Sequence, residues 1–229
     1  MHKRAGVILV LAVAVLILAA LLLVFSHYYE DRQAGRESNE RLIDVRAIIE
    51  ERITPAPLVT PAAGQEAGDS AETPEPFDPE LTVVEIDGHG YIGYLSIPVL
   101  ELDLPIMSEW DYEKLKIAPC RQFDSSKTDD LVIAAHNYKR HFGYLAELEA
   151  GDAVLFTDMD GTVNTYEVAL VDTLNPTEVE AVQNSGYDLV LYTCTYSGQR
   201  RVMVGCSRTT EEALKALVSS SWKEAEGKR

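Results

Sequence analysis

Cysteine is scarce in this chain: three in 229 residues, with no C-x-x-C pair. That excludes a disulfide scaffold and makes a structural zinc site an unsuitable source of stability. Basic charge is scarce as well, with 20 Lys and Arg against 37 Asp and Glu and a formal net charge of −17. A nucleic-acid backbone needs a basic face, so no nucleic-acid partner is expected. Between Arg52 and Lys114 there is neither Lys nor Arg. Histidine is thinly spread: His89 and His141 lack partners at metal-ligand spacing and read as surface or loop residues, and no cofactor or metal is expected. No internal repeat is visible. What the chain does have is 46% hydrophobic and 25% charged residues, enough for a globular core.

The apolar residues are unevenly spent. Residues 5–25 form an uncharged run with a single glycine, about 31 Å as a helix, roughly one bilayer core. Residues 1–4 contribute Lys3 and Arg4 before it. A secretory signal would have a core of about 7–15 residues and a small-residue cleavage site. This run is longer, closes on Leu21, Leu22, Leu23, Val24 and Phe25, and is followed by the interfacial pair Tyr28 and Tyr29. The expectation is an uncleaved transmembrane helix over 5–25, with residues 1–4 cytoplasmic and the long C-terminal part outside. The loop charges do not decide that orientation, because Arg32, Arg36, Arg41 and Arg46 lie just beyond the run.

Residues 26–53 read as a juxtamembrane amphipathic helix. Leu42, Val45, Ile48, Ile49 and Ile53 share one side, as in a stalk or a weak oligomer contact. Residues 54–80 are acidic and proline-rich and read as a stiff spacer that holds a domain off the membrane. Residues 81–209 carry the marks of many short strands: alternation over 91–98, an apolar run at 131–135, and runs at 153–157 and 162–170 flanking Asp160-Gly161, a hairpin dipeptide. Further runs occupy 189–193 and 202–206. Such a pattern indicates a mainly β barrel or sandwich with short helices. Residues 210–229 read as a helical tail.

Three polar side chains sit at the ends of apolar strands. His136 follows Leu131-Val132-Ile133-Ala134-Ala135, Cys194 ends Leu189-Val190-Leu191-Tyr192-Thr193, and Arg201 opens the next strand across a turn with Ser197 and Gly198. A rigid sheet positions such groups while leaving them reachable. A free thiol is only about 3% thiolate at neutral pH without help. A cationic His136 or Arg201 nearby would favour the thiolate, His136 is suited to protonate a leaving amine, and Arg201 to neutralise a tetrahedral oxyanion. Each residue also has a plainer reading: a structural histidine, a small buried cysteine, an arginine paired with a carboxylate.

As a set, the residues resemble a family. The N-terminal apolar run, Gly93-Tyr94-Leu95-Ser96-Ile97-Pro98, Leu104-Pro105-Ile106, Ala134-Ala135-His136-Asn137, Phe142-x-x-Leu145-x-x-Leu148-x-x-Gly151-Asp152 and Leu191-Tyr192-Thr193-Cys194-Thr195 followed by Arg201 are similar to sortases. The resemblance implies a closed eight-stranded sortase-type β-barrel over residues 81–209 and a membrane-anchored cysteine transpeptidase with its catalytic domain outside a Gram-positive cell membrane. It implies that Cys194 attacks an LPxTG-like sorting motif near the C-terminus of a secreted protein, and that His136 protonates the departing amine. A thioacyl intermediate is then resolved by an amine of a peptidoglycan precursor or a pilin lysine, while Arg201 holds substrate or the oxyanion. Thr193, Thr195, Tyr196 and Asn137 are candidate substrate-binding residues. The short interval from Cys194 to Arg201 is nearer class D than the longer loops of classes A and B, and His136-Asn137 with no C-terminal membrane segment departs from class C. The subclass is left open between class D-like and class B-like.

Two alternatives from other classes remain at this point. Val154-Leu155-Phe156-Thr157-Asp158-Met159-Asp160-Gly161-Thr162-Val163 looks like the first motif of haloacid-dehalogenase-type phosphatases, with Asp158 as nucleophile and Asp160 as acid/base; the plainer reading is a hairpin turn. A catalytically inactive, tethered binding module on the same barrel is the other. Cys120 and Cys206 have the number for a bridge, although free buried thiols are the simpler reading.

Overall fold

The computed structural model describes residues 2–54, 78–195 and 197–210. It begins with one unbroken helix, α1 (His2–Ile53), about 78 Å long at 1.5 Å per residue. Nine strands follow: β1 (Val84–Ile86), β2 (His89–Ile97), β3 (Leu102–Met107), β4 (Cys120–Phe123), β5 (Leu131–Ala134), β6 (Ala153–Asp158), β7 (Val163–Leu174), β8 (Leu189–Cys194) and β9 (Arg201–Arg208). A short helix α2 (Val179–Gln183) lies between β7 and β8.

The sheet runs β1-β2-β3-β4-β5-β8-β9-β7-β6, and a further β2–β6 pairing closes it. The closed ring is the eight strands from β2 to β9; β1 is a short hairpin partner of β2 outside it. All neighbours are antiparallel except β3–β4 and β5–β8. This is the closed eight-stranded barrel expected. Gly93 makes the closure possible. It pairs with Asp158 at φ 143°, and a Cβ there would meet the Thr157 carbonyl oxygen at 2.0 Å, so only glycine fits.

Alternation sorts the side chains. Leu131, Ile133 and Ala135 of the β5 segment, Leu189 and Leu191 of β8, and Val202, Val204 and Cys206 of β9 fill the interior. Phe142, Leu145 and Leu148 enter the same core, so the spaced apolar triplet after His136 is a plug in one mouth of the barrel. The outer face has two apolar covers. On one side Val182 of α2 and Tyr187 lie on Val132, Val190 and Met203. On the other, α1 lies on Tyr91, Met107, Cys120 and Ala134.

That second cover gives the apolar side expected over residues 26–53, read there as a stalk or a weak oligomer contact, a partner within the chain. Ala34, Ser38, Leu42, Val45 and Ile49 are all buried, spaced four, four, three and four apart, one continuous stripe along α1. The two ends of the segment expected as a spacer, 54–80, also lie close together. At the end of α1, Arg52 lies 3.6 Å from Asp160 and Ile53 lies against Gly161, while Thr82, on the far side of the segment, donates to Asp160 at 2.7 Å. The chain leaves α1 and re-enters the barrel at the same corner. The docked helix therefore sets the height of the barrel above the apolar run. Residues 55–77 themselves, and the helical tail expected over 211–229, lie outside the described residues.

Candidate active site

Strand register brings the three chemically suited side chains to one end and one face. Cys194 and Arg201 are directly opposite partners in the β8–β9 ladder, and Leu174 of β7 faces Arg201 from the other side. β5 runs parallel to β8 with Ala134 opposite Tyr192, and the Ala135 N–H donates to the Tyr192 carbonyl at 3.2 Å. Two residues further along each strand stand His136 and Cys194. Their in-strand neighbours Ala135, Thr193 and Val202 point inward, so His136, Cys194 and Arg201 all project from the outer face. Tyr192 lies beneath them, packed against both apolar covers. Burial pushes its hydroxyl up to about 12, opposed by Arg201 and reinforced by Cys194.

Backbone ties hold the histidine. The Thr193 hydroxyl donates to the Ala135 carbonyl at 2.8 Å, the Phe142 N–H donates to the His136 carbonyl at 3.2 Å, and the Asn137 amide donates to the Thr195 carbonyl at 3.2 Å. The barrel plug and the turn after Cys194 therefore hold His136 from both sides. Its ring sits 6.2 Å from Tyr112 and 5.0 Å from Tyr138, and Tyr138 is 5.5 Å from His141. Burial lowers the His136 pKa from its ordinary value, Lys116 lowers it further, and Glu30 of α1 opposes both.

Of the three cysteines, all free, only Cys194 is within reach of solvent. Cys120 and Cys206 are completely buried, and burial raises each thiol to about 12. Cys120 also donates to the Ala118 carbonyl at 3.5 Å. Arg201 makes no ion pair with a described carboxylate; its guanidinium donates only to the Gly198 and Arg200 carbonyls, at 3.4 and 3.2 Å, a loose tether that leaves donors free.

The expected substrate-binding residues divide. Thr193 faces inward, 3% exposed, with its hydroxyl engaged, so it does not line the outer face; its neighbour at the next alternation, Cys194, takes that place. Thr195 is a turn staple: its N–H donates to the Arg200 carbonyl at 2.9 Å and its hydroxyl accepts from the Arg200 N–H at 3.1 Å. Asn137 is used in the tie to that turn. Tyr196 lies outside the described residues. Among the described residues no three His, Cys, Asp or Glu side chains gather as a metal-ligand set.

Two further expectations change. His141 is not a surface or loop histidine: it is 0% exposed, beneath α1 at Ala34, and neither ring nitrogen has a hydrogen-bond partner in normal geometry. Burial and the proximity of His136 depress its pKa to about 4, with the Ala34 carbonyl pulling the other way. The phosphatase alternative also fails. Asp158 ends β6 on an antiparallel hairpin, 3% exposed, and its carboxylate caps its own turn by accepting from the Asp160 and Thr162 N–H groups at 3.0 and 2.9 Å. That carboxylate is satisfied and enclosed, with no room for a phosphate, and the parallel sheet that chemistry needs is absent from the described residues.

What sequence reasoning missed around His136 came from distant parts of the chain. Tyr138, two residues on, was within reach of local inspection. Tyr112, Lys116 and Glu30 carry no local signal.

Comparison with known proteins identifies the family. A sortase domain model matches residues 95–209, half of the chain. Sortase A of Bacillus anthracis is 24% identical over 180 residues, covering 75% of this chain and 80% of that protein. Among solved structures, sortase C1 from Streptococcus agalactiae is similar with 26% identity and a TM-score of 0.48, covering 56% of this chain and 72% of that one. Sortase A from Corynebacterium diphtheriae is similar at 22% and 0.49, covering 53% of this chain and 62% of that one. The match spans the barrel from β2 to the residue after β9, and by it the chain belongs to the sortase family.

Proposed function

We propose that the chain is a membrane-anchored cysteine transpeptidase with Cys194 as nucleophile, His136 as proton carrier and Arg201 as oxyanion partner. The observation that supports this is the register: a solvent-reachable thiol directly opposite an arginine with no described carboxylate in reach, beside a histidine two residues past the end of the neighbouring strand β5. The Cys194 thiol gives its proton to His136 as its sulfur attacks the backbone carbonyl of an LPxTG-like sorting motif, and the guanidinium of Arg201 neutralises the tetrahedral oxygen. His136 gives its proton to the departing amine, leaving a thioacyl enzyme. An amine, from a peptidoglycan precursor or a pilin lysine, gives its proton to His136 and attacks the thioester, which frees Cys194. Asn137 and the Thr195 turn hold His136 in place for both transfers.

The N-terminal half of α1 is long and apolar enough to cross a membrane, and its large side chains from Leu11 to Phe25 are exposed. We read it as a single-pass anchor with the barrel on the extracytoplasmic side. Domain bounds on this reading are 5–25 for the span and 81–209 for the catalytic barrel.

A peptide panel with hydroxylamine as acceptor tests the reaction. Wild-type protein yields the hydroxamate of one peptide class and a thioacyl adduct on Cys194 by mass spectrometry. Cys194→Ala abolishes both, and Arg201→Lys lowers turnover about a hundredfold, because a point charge replaces a planar fork. Turnover surviving in Cys194→Ala would overturn the assignment. Peptide capture without turnover in the wild type would establish the inactive binding module instead.

A further inference from the structure

A cleft of about 1240 Å³ separates the start of the docked part of α1 from the loop after His136. Its walls carry Arg32 and Arg36 on the helix and Lys139 and Arg140 on the loop, with Arg46 and Tyr28 at its margins. The anionic groups around it are fewer and mostly engaged. Asp103 pairs with Arg46 at 2.9 Å, Asp31 accepts the Arg140 N–H at 3.3 Å, and Glu101 lies exposed at the far rim. Arg36 lies 3.9 Å from Glu40. Among the described residues, Arg32, Lys139 and Arg140 make no ion pair; Arg32 lies 5.0 Å over the Tyr28 ring. A chain with nearly twice as many acids as bases thus gathers five cations around one opening and leaves three of them without carboxylates.

The position of that opening selects its occupant. Phe25, the last residue of the apolar run, lines the same cleft. Arg32 stands seven residues on, about 10 Å along the helix axis, and a long cationic side chain reaches back toward the interface from there. The headgroup layer is about 5–8 Å deep on each side of the hydrocarbon core. Tyr28 and Tyr29 occupy the aromatic level between. Arg140 is held against Gly35, whose added Cβ would lie 2.2 Å from the arginine side chain, so it stands level with the helix between Arg32 and Arg36.

We propose that this cleft binds the phosphate of an anionic phospholipid headgroup in the bilayer that α1 crosses, seating the barrel with its catalytic end at the membrane surface. The inference rests on the anchor reading above. Arg32, Lys139 and Arg140 are the ligands that matter, and the ligand class is a phosphodiester at the interface, attracted by point charge and forked donors.

Full-length protein is reconstituted into vesicles of phosphatidylcholine alone and of phosphatidylcholine with phosphatidylglycerol, floated, then extracted mildly, and retained lipid is counted by native mass spectrometry. Expected is co-flotation with both vesicles and about tenfold enrichment of phosphatidylglycerol over its bulk share. Arg32→Gln/Lys139→Gln/Arg140→Gln removes the enrichment, and Arg32→Lys/Arg140→Lys keeps most of it, which separates lost charge from lost fold. Recovery of the protein outside both vesicles would sink the anchor reading itself. Co-flotation without enrichment, or enrichment unchanged in the triple glutamine variant, would overturn the cleft alone. Displacement of the lipid by millimolar free glycerol phosphate would show a soluble-phosphate site and overturn it too.

Discussion

The two halves of α1 belong to one helix but differ in what covers them: the first stands open and the second lies on the barrel. From Leu11 to Phe25 large aliphatic side chains cover every side and stand open, as at Leu23 with 73% exposure. From Ala34 to Ile49 the buried residues keep to one stripe, which the barrel covers completely at Val45, although Ile43 stands open on the other side. A helix hydrophobic all round needs a lipid environment, and a striped one needs a protein face. The unbroken joint between them is what makes the pair informative. Because α1 runs unbroken from its exposed apolar half into its docked half, the barrel stands at a fixed distance from the apolar run.

The sharpest way to break that contrast is a buried charge in the striped half. Val45→Asp places an unpaired carboxylate between α1 and Met107, and should cost about 4 kcal/mol, read as a fall in melting temperature in detergent. Ile49→Ala should cost about 2–4 kcal/mol through the cavity it leaves. Leu16→Ala, in the open half, should move barrel melting by no more than about 0.5 kcal/mol. Equal effects in the two halves would mean that the stripe is not an interface.

A smaller effect sharpens the same contrast with pH. His141 is held neutral beneath α1, its pKa depressed to about 4, while in the unfolded chain it takes a proton near 6.5. Between those values the unfolded state binds more protons, so stability is complete above about pH 7 and declines as pH falls toward 4, by about 3 kcal/mol in all. Lowered His136 adds in the same direction. His141→Phe keeps the ring packing and should flatten most of the slope in melting temperature against pH. An unchanged slope in that variant would place the titration elsewhere.

Sequence made the barrel legible and the docking illegible for a physical reason. Strand alternation and the Asp160-Gly161 turn are local signals, and they marked β2, β5, β6, β7, β8 and β9 but not β1, β3 or β4; β7 runs furthest past its expected end, to Leu174 opposite Arg201. Cys194, His136 and Arg201 stood out because each borders an apolar run. Thr193 was misplaced although its own parity gave the answer: beside an outward Cys194 it must face inward. For α1, the spacing of Leu42, Val45 and Ile49 revealed an apolar side without naming its cover, and Ala34 and Ser38 are too small to register as apolar positions. His141 sits in a run of polar residues and is buried only because a helix from a hundred residues away lies on it. No local pattern encodes that.

The smallest expected effect concerns the ion pairs that flank the stripe. Arg46 reaches Asp103 at 2.9 Å and lies 4.7 Å over the Tyr94 ring, and Arg41 pairs with Asp87 at the same interface. Both partners of the Arg46 pair are nearly half exposed, so water already solvates the charges and the ordered side chains cost entropy. Arg46→Ala should therefore lower stability by about 0.5–1 kcal/mol, most of it from the ring contact. Salt separates the two parts. At 1 M the screening length shrinks to about 3 Å, which weakens the carboxylate contact and leaves stacking on Tyr94 in place. If the cost of Arg46→Ala falls only slightly between 0.1 and 1 M salt, packing holds the helix to the barrel even at its polar margin. A cost that matched Ile49→Ala and vanished in salt would instead make the docked half of α1 an electrostatic attachment, and the contrast with the lipid-facing half would rest on charge rather than on burial.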